Sequence, residues 1–300
     1  MLIWYAGPSA RRLGFCLSVS SLLPVGPAWP EDVLAKIHVL DVGQGQAVLI
    51  ETAEQLLVYD AGPASRFGWD AGESIVQPFI QSLHKPPDLI VVSHHDQDHA
   101  GGLDALRQQW PETSWWGPNS ATPQTRCHSK RQWHSPELKI QILHPNPYLP
   151  YLGNDSSCVL SIQIGSQRIL LSGDISKIIE RRLLRDGLSN HDWLLVPHHG
   201  SKTSSSDEFV ARLAPVWAVA SVGRENSFGL PHAMVVDRYR TQPSHWLSTA
   251  DHGYLQFLVR RDAISLEVAQ RADLRRIWHF DSPLSGAGLM QKRSKLVSEL

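Results

Sequence analysis

Short runs of apolar or alternating residues, each bounded by Gly, Pro or Asp, fill most of the chain from Lys36 onward and are typical of β-strands. Between some of these runs, apolar residues recur at spacings of three and four, which predicts amphipathic helices. Strand clusters mixed with single helices favour an α/β fold in which two sheets pack together with helices outside. The predicted strands are KIHVLDVG, QAVLIET, QLLVYDAG, LIVVSHH, LKIQILHP, CVLSIQIG, QRILLSGD, DWLLVPHHG, VWAVASVG, GYLQFLVRR and ISLEVAQ, and the predicted helices are SIVQPFIQSLH, LDALRQQW, SKIIERRLLRDG and SSDEFVARLAP.

The two ends of the chain differ from this pattern. Residues 1–30 place Arg11 and Arg12 before an apolar, Ser-containing stretch that Pro24 and Pro27 interrupt. The stretch is marginal against the roughly 20 residues of a spanning helix and lacks a clean cleavage site, so a signal peptide, a membrane anchor and the stub of a membrane protein all stay open. The positive-inside rule places the following domain, residues 31–270, outside the cytoplasm. Residues 271–300 show weak periodicity and are expected to be poorly ordered.

Composition narrows the function classes. Lys and Arg total 28 against 29 Asp and Glu, so the net charge of −1 provides no overall basic field for a polyanion, which must be held by local contacts. The three cysteines, Cys16, Cys127 and Cys158, show no CxxC spacing, and we expect neither a disulfide framework nor a thiolate zinc site. Cys158 lies in an apolar run and is expected to be a small core residue.

Candidate metal ligands gather where predicted strands end. Rigid strand ends and neighbouring glycines allow such side chains to converge. Imidazole and carboxylate donors without thiolates suit zinc or manganese, and bridging carboxylates favour two ions over one. His144, in LHPNP, is a further candidate, but the flanking prolines favour a loop anchor. The strand ends carry Asp60, the cluster from His94 to His99, Asp174, and the pair His198 and His199.

The cluster also carries a family resemblance. His94-x-Asp96-x-Asp98-His99, followed by Gly101 and Gly102, resembles the HxHxDH signature of the metallo-β-lactamase superfamily, with aspartate replacing the second histidine. Further segments resemble, in order, the C-terminal hydrolase-like domain of ComEC-type proteins of natural DNA uptake. They are LDVGQGQAVLIE, LLVYDAGP, SHHDQDHAGGL, NDSSCVLSI, ILLSGDI, VPHHGSKTSSS and TADHGYLQF, and they cover roughly residues 36–262.

The resemblance implies an αββα sandwich with one or two divalent ions at one edge. It implies metal-dependent hydrolysis of DNA, as a single strand or an incoming duplex, in which bound ions stabilise the attacking and leaving oxygens. It also implies an association with a membrane channel protein of DNA uptake at the bacterial inner membrane, with the catalytic domain on the extracytoplasmic side. Asp98 takes a catalytic role in addition to binding metal. The implied ligands are Asp60, His94, Asp96, Asp98, His99, Asp174 and one of His198 and His199.

The sequence departs from the ComEC pattern at two positions. Where relatives usually read Gly-His-Pro, this chain reads FGLPH, so Leu230 replaces a potential proton donor or phosphate contact and His232 follows two residues later. His232 is therefore a candidate catalytic residue. Gln46 stands where many relatives have an acidic residue. Lys202 and Arg238, beside the HHGSKTS and LPH segments, are candidate DNA contacts, and ordinary solvated charge is the equally weighted interpretation.

Three functions follow from these observations. A metal-dependent DNA phosphodiesterase is the first. A thioester or lactone hydrolase of the same fold is the second, although such enzymes generally keep both histidines of HxHxDH and Asp96 argues against it. A non-catalytic metal-binding or scaffold module of a DNA-uptake channel is the third, and Leu230 favours it. Metal content separates the third from the others, and activity on DNA against a thioester panel separates the first two.

Overall fold

The computed structural model describes residues 29–118, 125–129 and 131–273. The chain divides into two compact units, residues 1–31 and 32–300. The first unit contributes only residues 29–31 to the described part, so the predicted apolar segment of residues 1–30 lies almost wholly outside it. The predicted tail is described only at Arg271–Asp273, which ends a helical turn, and Arg271 pairs there with Asp41. None of the described helices is both long and apolar enough to span a bilayer.

The first sheet contains strands from both ends of the second unit. Its strands are β1 (Val33–Val39), β2 (Val48–Glu51), β3 (Leu56–Tyr59), β4 (Leu89–Val91), β5 (Ser114–Trp116), β13 (Leu255–Arg260) and β14 (Ile264–Ala269). Their order is β14-β13-β1-β2-β3-β4-β5. Strands β3, β4 and β5 are parallel, so their carboxyl ends lie at one edge of the sheet.

The second sheet is continuous in sequence. Its strands are β6 (Gln132–His134), β7 (Lys139–His144), β8 (Val159–Ile164), β9 (Gln167–Leu171), β10 (Trp193–Leu195), β11 (Trp217–Ala220) and β12 (His245–Ser248), in the order β12-β11-β10-β9-β8-β7-β6. Strands β9 to β12 are parallel. Strand β7 runs in the same direction as β9, because both are antiparallel to β8.

The main core lies between the two sheets. Residues such as Ile37 and Tyr59 of the first sheet and Ile162 and Leu171 of the second belong to it. The outer faces are buried as well, because two further clusters pack helices against them. Burial on both faces explains why the strands read as apolar runs. The helices are α1 (Gln77–Ser82, continuing a π-helical turn at Gly72–Val76), α2 (Gln97–Ala100), α3 (Leu103–Gln109), α4 (Lys177–Arg185), α5 (Asp207–Leu213), α6 (Ala233–Arg240), α7 (Thr249–His252) and α8 (Gln270–Asp273).

The predicted αββα arrangement is confirmed, and each of the predicted strands and helices is present. Sequence patterning missed β5, β6 and β12, whose sequences SWW, QWH and HWLS mix polar with aromatic residues and form no apolar run. It also missed α6, whose residues 233–240 carry a buried face formed by Val235, Val236 and Tyr239.

The expectation about the cysteines is wrong. Cys127 and Cys158 form a disulfide with their Cα atoms 6.0 Å apart, across a sequence separation of 31 residues. Cys158 is fully buried, as expected, but it is bonded to a loop that follows β5. Folding brings Cys127 and Cys158 together, and no spacing of cysteines in the sequence indicates this pair. Cys16 lies outside the described residues.

Candidate metal centre

Histidine and aspartate side chains from both sheets converge at the carboxyl ends of the parallel strands. His94, His99 and Asp174 offer ligand atoms that lie within 4.8 Å of one another, and so do Asp98, His99 and His199. His94 follows β4, Asp98 and His99 lie on α2, Asp174 follows β9 and His199 follows β10. We call these five residues the ligand cluster. The two groups share His99, which places it at the centre of the cluster.

His99 is oriented by a buried carboxylate. Its Nδ1 donates to Oδ2 of Asp60 at 2.8 Å, and both side chains are fully buried. The opposite nitrogen, Nε2, therefore faces the cluster, 3.3 Å from Oδ1 of Asp174 and 3.8 Å from Oδ2 of Asp98. A carboxylate on the far nitrogen is the usual arrangement behind a metal-binding histidine, because it fixes the tautomer and strengthens the ligand.

His199 is oriented in the same way by a backbone group. Its Nδ1 donates to the carbonyl of Ser221 at 2.6 Å, which leaves Nε2 facing the cluster. His198 and His199 both adopt the left-handed backbone conformation, with φ of 52° and 54°. Such conformations are costly for residues other than glycine and are common at functional sites. This turn directs His199 inward and His198 to the rim.

Two buried polar atoms of the cluster have no hydrogen-bond partner. They are Nε2 of His94 and Oδ1 of Asp174. His94 is fully buried, and its Nδ1 lies 3.0 Å from the hydroxyl of Ser93. Buried polar atoms nearly always have a hydrogen-bond partner, so two ligand atoms without one in the same cluster fit a cation-binding site. The donor set of imidazoles and carboxylates is the one that divalent transition metals prefer.

The electrostatics of the cluster follow from burial and close packing of opposite charges. Burial by itself lowers the pKa of His99, but the Asp174 and Asp60 carboxylates raise that pKa well above its usual value. Burial, together with the neighbouring His99, lowers the pKa of His94. Burial favours the neutral form of Asp174, yet His99 and His199 hold its pKa well below the usual range. The buried, ionised carboxylate of Asp174 is therefore stabilised by positive charge close to it.

Asp60, predicted to bind metal, lies behind His99 and in neither ligand group. Its two oxygens accept hydrogen bonds from Nε2 of Gln46 at 2.6 Å, from N and Oγ of Ser93 at 2.6 and 2.8 Å, and from His99. Four bonds use the acceptor capacity of a carboxylate. Asp60 is therefore placed to position His99. Gln46, noted in the sequence only as a departure, is one of its anchors.

Asp96 and His198 lie at the rim of the cluster. Oδ2 of Asp96 is 3.6 Å from Nε2 of His94, and the side chain is 54% exposed. Nε2 of His198 is 3.7 Å from Oδ2 of Asp174, and its ring also contacts Asn154 and Thr203. Both residues were predicted as ligands, and the structure places both outside the two groups of closest donors.

His232 and Leu230 have structural contacts. His232 precedes α6, and its Nδ1 accepts from the backbone N–H of Met234 at 3.3 Å, which is a helix cap. Its backbone N–H donates to the carbonyl of Gly200 at 2.9 Å, so it lies next to the histidine turn. Leu230 packs against the outer core of the second sheet. The histidine predicted to be catalytic is thus near the cluster but bonded to its own helix.

The predicted DNA contacts differ in exposure. Arg238 is 16% exposed, forms an ion pair with Asp207 at 3.0 Å and donates to the carbonyl of Ser205 at 3.1 Å. These contacts give Arg238 a structural role. Lys202 is exposed in the turn that follows Gly200. His144 donates through Nε2 to the carbonyl of Asp155 at 2.7 Å, in agreement with the loop-anchor interpretation.

Comparison with known proteins identifies the family. The model of the metallo-beta-lactamase superfamily matches residues 40–223. The chain belongs to the metallo-beta-lactamase superfamily. The metallo-beta-lactamase fold protein YhfI from Bacillus subtilis has the same architecture, with a TM-score of 0.50, 12% identity, and coverage of 78% of this chain and 100% of YhfI. A metallo-beta-lactamase fold implies a divalent metal, and the ligand cluster could hold one.

Two relatives have names that refer to recombination and to competence. Recombination protein 2 of Haemophilus influenzae is 32% identical over 248 residues, covering 81% of this chain and 30% of that protein. Competence protein ComA of Neisseria gonorrhoeae is 30% identical over 243 residues, covering 80% of this chain and 34% of that protein. The chain thus spans about a third of the length of these relatives.

Proposed function

We propose that this metallo-beta-lactamase domain is a metal-dependent phosphodiesterase that acts on DNA during DNA uptake, and that zinc or manganese occupies the ligand cluster. One observation carries the metal part. Because Asp60 accepts from Nδ1 of His99 and the carbonyl of Ser221 accepts from Nδ1 of His199, both Nε2 atoms face the cluster, and these atoms lie 3.1 Å apart. Tetrahedral bonds to a small divalent ion separate two imidazole nitrogens by about 3.3 Å. Burial lowers the pKa of both rings, but the neighbouring carboxylates raise it above the usual value, and a shared cation would replace the proton on each Nε2.

The remaining donors of the cluster extend the site to one side. Asp174 faces both His99 and His199, at 3.3 and 3.5 Å, and its carboxylate would join these rings in holding a divalent ion. His94 completes one ligand group and Asp98 the other. A bound divalent ion supplies Lewis-acid activation of a phosphodiester and of the attacking water. Because Asp60 occupies Nδ1 of His99, this ring would bind one ion, and a second ion would draw its ligands from the other members of the cluster.

The chain's own residues hold the ligands and admit the substrate. Asp98 is the cluster carboxylate with solvent access, at 34% side-chain exposure, and its Oδ2 lies 3.3 Å from Nε2 of His199. Burial favours its acid form, but the hydrogen bond from His199 lowers the pKa of Asp98. An ionised carboxylate at the mouth of the site is suited to orient the water that attacks the phosphorus. Asp60 and Ser221 keep the rings fixed while this occurs.

The assignment to DNA uptake draws support from the relatives. Proteins named for competence and recombination match about four fifths of this chain. We further propose an association with a membrane channel protein of DNA uptake and a location at the bacterial inner membrane, with this domain on the extracytoplasmic side. The Cys127–Cys158 disulfide is in keeping with that side, because disulfides persist in oxidising compartments.

Metal analysis of the purified chain and a nuclease assay with added manganese test the proposal. We expect one or two divalent ions per chain and cleavage of DNA but not of a thioester. Asp98→Asn should keep the fold, by circular dichroism, and lower the rate on the order of a thousandfold, as loss of a charged group at a metal site commonly does. Asp104→Asn, on the neighbouring helix α3, is the matched control. Equal rates for Asp98→Asn and the parent would refute the proposed site.

Leu230 supports a second candidate, a non-catalytic metal-binding module. Relatives in the ComEC pattern usually have a histidine where this chain has Leu230, which packs into the outer core. A chain that binds metal but cleaves neither DNA nor a small phosphodiester would establish this candidate. Leu230→His should then gain cleavage if the leucine alone accounts for the loss.

A further inference from the structure

We propose that the exposed aromatic side chains beside the ligand cluster form a stacking surface for unpaired nucleotide bases. We call Phe67, Trp69 and Phe228 the aromatic rim; they are 98%, 45% and 71% exposed. The inference rests on the proposed function for the reaction at the cluster and adds the part of the substrate that is recognised. The residues of the aromatic rim have no role in the proposed hydrolysis, and the inference gives them a role in substrate binding.

The aromatic rim lies at the edge of the sandwich that carries the ligand cluster. Phe67 and Trp69 follow β3 within ten residues of Asp60, and Phe228 follows β11 within eight residues of Ser221. Both loops are fixed to the segment Gln44–Gln46. The carbonyl of Gln46 accepts from Gly62 N at 2.9 Å, the carbonyl of Gly45 accepts from Ser221 Oγ at 2.8 Å, and Oε1 of Gln44 accepts from Gly223 N at 3.2 Å.

The distribution of exposed aromatics is uneven. Single exposed apolar residues are normal on a protein surface, so their number alone carries no argument. In the described part of the chain, however, all four large aromatic side chains that are exposed lie on segments that follow carboxyl ends of strands, at the edge that carries the ligand cluster: Phe67, Trp69, Tyr148 and Phe228. The opposite edge exposes Val216, an aliphatic residue.

Unpaired bases fit such a surface better than a duplex does. In a duplex the base faces stack on one another, whereas a single strand offers them to aromatic side chains without requiring a particular sequence. Exposed cations on the same loops, Arg66 and Arg224, and Lys202 on the histidine turn can meet the backbone phosphates. With three cations at most, affinity for a single strand should fall with salt at a log–log slope of about −2.

A lipid surface is the other partner that aromatic and basic loops can fit. Burial of this edge in a bilayer would bring Asp96, Asp98 and Asp174 toward the hydrocarbon, and carboxylates are costly there. It would also close the route by which a phosphodiester reaches the cluster. The observations therefore favour nucleic acid.

The test compares binding of fluorescent oligonucleotides of about 12 nucleotides to the full chain in EDTA, so that no cleavage occurs. The probes are oligothymidine, an abasic strand of equal length and a duplex. The parent should bind oligothymidine more tightly than the abasic strand. Phe67→Ala combined with Phe228→Ala should weaken oligothymidine binding by about tenfold for each aromatic, or roughly a hundredfold. Val216→Ala, at the opposite edge, is the control.

Equal affinity of the parent for oligothymidine and the abasic strand would overturn the proposal, as would parental affinity in the double variant. Loss of binding to phosphatidylglycerol vesicles by the double variant, with oligothymidine binding intact, would overturn it in favour of a lipid surface. Hydrolysis of bis(p-nitrophenyl) phosphate by the manganese-loaded parent tests the proposed function separately, because this substrate has no nucleobase. If the parent protein cleaves neither this substrate nor DNA, the proposed phosphodiesterase function is refuted. The oligothymidine binding experiment still tests whether the aromatic rim binds bases.

Discussion

Nε2 of His99 and Nε2 of His199 lie 3.1 Å apart although the two residues are a hundred positions apart in the chain. Each Nδ1 is engaged elsewhere, by Asp60 and by Ser221, so both facing nitrogens are available as ligands. The structure thereby distinguishes His199, which faces the cluster, from its neighbour His198, which lies at the rim.

This difference gives the first prediction. His199→Ala should lower affinity for zinc or manganese by more than the roughly hundredfold that loss of an outer partner costs. His198→Ala should lower it much less, because its ring is 3.7 Å from Asp174 and contacts Asn154 and Thr203. Competition with a chromogenic chelator measures both. A greater loss of metal affinity in His198→Ala than in His199→Ala would show that His198, and not His199, is the metal ligand.

Asp60 gives the second prediction. Asp60→Asn exchanges an acceptor oxygen for an amide that cannot accept from Gln46, Ser93 and His99 together, so the His99 ring loses its fixed orientation. Metal affinity should fall about 10- to 100-fold. Asp192→Asn is a matched control, since Asp192 accepts from Arg168 N at the opposite edge of the sheet. Isothermal titration with manganese measures the affinity, and equal values for Asp60→Asn and the parent would remove the positioning role.

His232 gives the third prediction. Its Nδ1 accepts from the first turn of α6, so His232→Ala should lower the free energy of unfolding by about 1 kcal/mol, the usual cost of a lost helix cap. Urea unfolding measures it. A hundredfold or larger loss of phosphodiesterase rate at unchanged stability would instead establish the general acid–base role predicted from the sequence.

His191 gives a prediction for acid stability away from the metal centre. Burial lowers the pKa of His191 from 6.5 to about 4, and its ring donates to the carbonyl of Ser189 while accepting from the hydroxyl of Ser161. The unfolded chain binds the proton first, so this contribution to stability is complete above pH 6.5 and is lost as pH falls toward 4. The loss approaches about 3 kcal/mol.

His191→Gln should flatten the slope of stability against pH in that window. His134→Gln, at an exposed histidine, serves as the control. Urea unfolding between pH 4 and 7 provides the comparison. An unchanged slope in His191→Gln would mean that other groups account for the acid sensitivity.

The disulfide gives the fifth prediction. A crosslink over 31 residues stabilises a chain by about 3–4 kcal/mol in the chain-entropy model. Dithiothreitol should lower the urea midpoint of the parent and leave that of a Cys127→Ala, Cys158→Ala variant unchanged. Of the three cysteines, only Cys16 should react with a thiol reagent in the unreduced, denatured parent. Three reactive thiols there would show that the bond does not form.

Most strands, and the candidate ligands at their ends, could be predicted from the chain itself. An apolar period is a local property, and runs such as LLVY and VLIE are buried on both faces, so they were visible without tertiary knowledge. His and Asp residues that follow such runs are also local signals, which is why His94, His99, Asp174 and the His198–His199 pair were recognised as candidate ligands. Strands β5, β6 and β12 were missed because SWW, QWH and HWLS are partly exposed and form no apolar run, whereas the equally short β4 and β10 are wholly buried.

Tertiary structure decided the role of each ligand-type residue. Whether Asp60 binds metal or holds His99 depends on which atoms of Ser93 and of helix α2 reach it, and the carbonyl of Ser221 has no side-chain signature in the sequence. The Cys127–Cys158 bond and the ion pair of Arg238 likewise join elements that are distant in sequence. Residue types and hydrophobic periods can be read from the sequence alone. Contacts between the two sheets depend on how the sheets pack, which no local stretch of sequence specifies.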